Sequence, residues 1–86
     1  MELVQFDYKD FGLASYLIVN GNEFKGIDVR FIKRFNEVKT YVSVQGDKQN
    51  LITLQKEYEN NKSKILKDEN INNQIEQLRL AVSLIK

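Results

Sequence analysis

The chain contains no cysteine, no histidine, no tryptophan and no proline. Without cysteine there is no disulfide framework, no thiolate nucleophile and no zinc–thiolate site. Without histidine, the usual proton shuttle at neutral pH and the commonest metal ligand are both missing. No cofactor is expected. The fold has to be held by packing alone, which is feasible but marginal at this size. No stretch approaches 18 apolar residues, so no membrane span is expected. The opening Met1-Glu2-Leu3-Val4-Gln5 has neither a basic region nor a long apolar run, unlike a signal peptide. A cytoplasmic location follows as the expectation.

What is present is an ordinary globular composition. The 86 residues are 42% apolar, 29% charged and 10% aromatic, with a net charge of +1. One domain spanning residues 1–86 is expected. A chain this short buries only about 60% of the surface its unfolded form exposes. Any site must therefore lie on the outside or at a shared interface. Charge is unevenly spread: residues 1–24 carry a net −3, residues 25–39 a net +3 and residues 40–86 a net +1.

Hydrophobic periodicity sets out the elements. Val4, Phe6 and Tyr8 alternate with Gln5 and Asp7, which predicts a strand over 3–8. Asp10 suits a helix N-cap, since its carboxylate can accept the first free backbone N–H groups. The helix should run from Phe11 to about Asn20 and stop at Gly21. After Gly26, Ile27, Val29 and Phe31 alternate, as do Val38, Thr40, Val42 and Val44, with a turn at 33–37. That is a hairpin. Asp47 or Asn50 can cap a second helix over 48–61, followed by a charged connector over 62–69 with Ile65 and Leu66 turned inward. Asp68 or Asn70 caps a third helix over 71–85, whose stripe is Ile71, Ile75, Leu78, Val82 and Ile85. The predicted fold is α+β: a three-stranded, mostly antiparallel sheet with helices packed on one face, in the order strand-helix-strand-strand-helix-helix.

Catalysis has few candidates. The paired carboxylates Asp7 with Asp10 and Asp68 with Glu69 are better explained as caps and first-turn charge. Ser15, Ser43, Ser63 and Ser83 have no histidine to activate them. Gly21-Asn22-Glu23-Phe24-Lys25-Gly26 lacks the phosphate-loop order and follows a helix where such a loop precedes one. The chain reads as a non-enzyme.

Two features remain for binding. The first is a basic hairpin, with Arg30, Lys33, Arg34 and Lys39 beside Phe35, and Lys25 at its base. Such a group could grip a phosphate backbone while the ring stacks on a base, or meet an acidic protein surface. It could equally be a solvated hairpin whose lysines guard an edge strand. The near-zero overall charge tilts the reading towards a protein partner. The second is the last helix, where Leu80 and Leu84 add a face beyond the main stripe. Either this helix sits centrally on the sheet, or its surplus face meets a partner or a second copy as a homodimer.

Tyr8, Lys9, Asp10, Leu13, Ala14, Leu17, Gly21, Phe24, Gly26 and Ile27 form a pattern: an aromatic-Lys-Asp opening, Leu-Ala-x-x-Leu, Gly, then an apolar-x-Gly-apolar strand entry. This resembles an uncharacterised domain family of small bacterial and phage-borne proteins. The likeness continues more weakly through the hairpin, Tyr58 and Asn60 into the closing helix. Where relatives carry Gly after Tyr-x-Asn, this chain has Asn61. The family has no established activity, so the resemblance implies a mobile-element setting and no active residues. The expected function is a non-enzymatic binding protein acting on a larger host protein or complex, such as an inhibitor of a defence nuclease. The alternatives are a small nucleic-acid-binding or regulatory protein using the basic hairpin, and an enzyme subunit whose chemistry lies in its partner.

Overall fold

A computed structural model describes residues 2–85 of the chain. In chain order they form β1 (Leu3–Tyr8), α1 (Phe11–Val19), β2 (Glu23–Ile32), a short 3-10 turn (Lys33–Phe35), β3 (Glu37–Asp47), α2 (Lys48–Ile65) and α3 (Glu69–Ile85). The sheet order is β1-β3-β2 and both pairings are antiparallel. The expected α+β fold is what forms. β3 lies in the middle and supplies Val42 and Val44, both fully buried.

Local signals start and stop most elements as expected. The Asp10 carboxylate accepts from the backbone N–H groups of Gly12 at 2.9 Å and Leu13 at 3.3 Å. Gly21 ends α1 with φ +97°, a left-handed conformation that costs glycine little. The following Asn22 is buried, and its side-chain amide donates to the Leu17 carbonyl at 2.9 Å. Asp47 caps α2 by accepting from Asn50 N–H. Asp68 caps α3 by accepting from Asn70 N–H at 2.8 Å.

Three boundaries and the placement of Ile85 differ from expectation. β2 begins at Glu23, before Gly26, because a β-bulge accommodates one extra residue: Phe24 pairs with Val44 and Gly26 with Ser43, leaving Lys25 over. α2 does not stop at Asn61. That residue leaves helical geometry (φ −128°, ψ 25°) and its side chain donates to the Glu57 carbonyl. The helix then resumes to Ile65, because Ile65 and Leu66 pack against the core. Most of the expected connector is therefore helix. α3 begins at Glu69, two residues early. Ile85, expected as the fifth member of its stripe, is exposed.

The central helix is α1, not the last one. Leu13, Ala14, Ser15 and Leu17 are all buried. α1 packs against β3, α2 and α3, and α3 packs chiefly against α1. α3 runs back along α1: Ile71 lies with Tyr16 and Val19 around one cleft, and Ile75 and Arg79 with Phe11 and Gly12 around another. α1 has 9 residues and α3 has 17. At about 1.5 Å per residue, α3 outruns α1 by about 12 Å. Its last turn is left uncovered, which is why Ile85 is exposed.

Candidate interaction surface

β1 stops at Tyr8, which pairs with Val42, whereas β2 and β3 continue to the Ile32–Glu37 pair. Past Val42 the hairpin is thus a two-stranded ribbon. The residues on one of its faces, Val29 and Thr40 and then Phe31 and Val38, pair across the strands. Phe31 is 61% exposed and Val38 57%. At the tip, Lys33, Arg34 and Phe35 form one 3-10 turn, closed by Asn36 in the left-handed region at φ 49°. Asparagine is one of the few residues with a side chain that tolerates this region. Phe35 is 63% exposed, and the Arg34 guanidinium carbon lies 5.4 Å from its ring centroid.

The five expected hairpin residues divide into two groups. Lys33, Arg34 and Phe35 come together at the tip. Neither cation there meets a carboxylate among the described residues. Arg30 and Lys39 face each other across the ribbon on its opposite side. Arg30 is held within the chain: Nε donates to Asp28 at 2.6 Å and Nη2 to Asp7 at 2.5 Å. Its guanidinium carbon stands 4.3 Å from the Tyr41 ring centroid, a cation–π distance. Lys25 pairs with Glu23 at 3.6 Å at the far end of β2.

Asp7 joins this cluster. The Ser43 hydroxyl donates to its carboxylate at 2.6 Å. That bond, opposed by burial and helped by Arg30, holds the carboxyl below its ordinary value. This is an ion-pair network on the outer face of the sheet.

Sequence reasoning missed the apolar face of the ribbon. Val29, Phe31 and Val38 alternate just as core residues do. The available signal was length: two long strands beside one short one leave their outer ends without a third.

Leu80 and Leu84 face solvent, and Leu84 is 88% exposed. Leu80 lies about 200° around the helix from the buried Leu78. The surplus face therefore points away from α1.

Each polar cluster that could suggest chemistry has a structural role. Asp10 caps α1 and accepts from the Tyr58 hydroxyl. Asp68 caps α3. The Ser15 hydroxyl is buried with no hydrogen-bond partner among the described residues, so no base is in place to activate it. No cluster of three or more metal-ligating side chains occurs among the described residues. None of their helices is long and apolar enough to cross a membrane.

No family model, curated protein or solved structure matches this chain. The functional reading accordingly rests on the surfaces described above.

Proposed function

We propose that the chain is a non-enzymatic binding protein that engages a larger protein through the tip of the β2–β3 hairpin. The observation that carries this reading is the tip itself: Phe31, Phe35 and Val38 are exposed together beside Lys33 and Arg34. Aromatic and arginine anchors ringed by less critical contacts are the usual composition of a protein-binding hot spot. The complementary surface is an apolar pocket rimmed by carboxylates. Phe35 fills the pocket, and Lys33 and Arg34 meet the rim. A phage or mobile-element setting, with a host complex such as a defence nuclease as the partner, belongs to this proposal on the strength of the sequence resemblance alone.

A nucleic-acid partner is the second reading. An exposed ring beside cations suits stacking on a base. Against it, Arg30 is already neutralised by Asp28 and Asp7, which leaves few cations for phosphates.

The test is capture of the partner from the native host, followed by binding measurements with Lys33→Glu/Arg34→Glu and Phe35→Ala. Loss of protein binding in both variants, with the fold intact, supports the proposal. Unchanged affinity in both would overturn it. A gel shift with DNA or RNA at low salt that is lost in the charge-reversed variant would favour the second reading.

A further inference from the structure

β2 is an edge strand of ten residues, paired with β3 on one side and with no strand of the described residues on the other. Such an edge is a template for another strand. Its charges follow a pattern: Glu23 and Lys25 lie before the Gly26–Ile27 peptide, and Asp28 and Arg30 after it. About that midpoint the signs are reversed in order. With Lys25 as the extra residue of the bulge, an antiparallel pairing of β2 with a second copy of itself, about a two-fold axis at Ile27, would set Glu23 opposite Arg30 and the bulged Lys25 and Gly26 together opposite Asp28. The symmetry makes each of these pairs twice.

The register is selective. A shift of two residues one way sets Lys25 against Arg30, and two the other way sets Glu23 against Asp28. Both place like charges directly opposite, which destabilises a sheet. A shift of one residue sets charged side chains against uncharged ones.

The bulge makes the faces agree. Residues seven apart in a regular strand point to opposite sides. The extra residue at Lys25 reverses that parity. Glu23, paired with Gln45, and Arg30, paired with Lys39, therefore share one face of the sheet. By the same shift Phe24, paired with Val44, and Val29, paired with Thr40, share the other. Phe24 and Val29 are both exposed and would become cross-strand neighbours in the pair. The existing Lys25–Glu23 and Arg30–Asp28 contacts are exposed pairs within one strand. Such pairs are weak, so Lys25 can exchange Glu23 for Asp28 of the second copy, while Arg30 keeps its Asp7 contact and adds the second copy's Glu23 to it.

We propose that this chain self-associates through β2 in this register, joining two three-stranded sheets into one antiparallel sheet of six strands. The tip residues of the hairpin are not used, so this interface and partner binding fail independently.

Sedimentation across a wide concentration range should show a particle of twice 10.1 kDa forming reversibly. Lys25→Glu and Asp28→Lys, each alone, should weaken the dimer roughly tenfold or more, because each sets like charges opposite twice. The two together should restore it. A second measurement does not depend on those variants: the chain has no cysteine, so mixing Phe24→Cys with Val29→Cys copies should give a mixed disulfide on oxidation. A monomer at every concentration would overturn the proposal. So would a dimer indifferent to Lys25→Glu, a double variant that stays weak, or no mixed disulfide. A dimer abolished by Leu84→Asp but untouched by the β2 variants would place the interface on α3 instead.

Discussion

The Tyr58 hydroxyl of α2 stands 3.4 Å from Oδ1 of Asp10, the same oxygen that accepts from the first free N–H groups of α1. One carboxylate thus caps one helix and ties a second to it. The Tyr58 phenol is pushed up to about 12 from an ordinary value of 10.0, first by burial and then by the Asp10 charge and hydrogen bond. The folded state favours the protonated phenol. Its contribution is therefore complete below pH 10 and is lost as the pH rises through about 12. The hydrogen bond is long, so Tyr58→Phe should cost only about 0.5–1 kcal/mol in urea unfolding at neutral pH. The variant should also lack the phenol that titrates near 12 in the ultraviolet titration of the wild type.

Gly12 lies beneath the same hydroxyl. A Cβ at this position would collide with Tyr58 Oη and come within 3.1 Å of Leu66 Cδ2. Alanine is the better helix former by about 1 kcal/mol, yet here the collision should dominate. Gly12→Ala should therefore lower the unfolding midpoint. Adding Tyr58→Phe should recover part of the loss by removing the colliding oxygen. A double-mutant cycle with no coupling between the two would contradict this packing.

Asp7 predicts the opposite pH limb. Its carboxyl is held below 3.8, with the Ser43 hydroxyl as the largest cause. The associated stability is present above that value and is lost as the pH falls through the folded-state midpoint. Ser43→Ala should raise the Asp7 midpoint in a carboxyl-carbon NMR titration. It should also cost about 1 kcal/mol at neutral pH, because the variant removes a donor from a charged acceptor. That cost should shrink in strong acid.

Leu17 and Leu84 should behave as opposites. Leu17 is fully buried, and Leu17→Ala should cost about 2–5 kcal/mol. That is a large share of the about 5–15 kcal/mol typical of a folded protein. Leu84 is 88% exposed, and Leu84→Ala should stay within about 0.5 kcal/mol in chemical denaturation. A larger effect that depends on protein concentration would mean that the outer face of α3 is covered by another molecule.

Much of the fold was legible in the sequence because its signals act over a few residues. Asp10 and Asp68 lie next to the N–H groups they cap. Gly21 stops its own helix, and the spacing of Ile71, Ile75, Leu78 and Val82 needs only one helix to be read. Legibility failed where a remote neighbour decided. Asn61 does interrupt the helix, but Ile65 and Leu66 resume it because a core is there to receive them. The bulge at Lys25 is visible only against the register of β3. Of the candidate site, Lys33, Arg34 and Phe35 were readable as a basic tip. The neutralisation of Arg30 was not, because Asp7 lies 23 residues away in the chain.

The sequence by itself determined the elements, their caps and the alternation of Val38, Thr40, Val42 and Val44 on one side of a strand. The tertiary structure alone decided what that alternation means. Val42 and Val44 are fully buried, while Val38 is 57% exposed. Val42 and Val44 pack into the core with Leu13 and Leu17 of α1 and Leu51 and Leu54 of α2, a cluster that does not include Val38. Burial depends on what covers a residue, and here the cover is two helices, one before this strand in the chain and one after it.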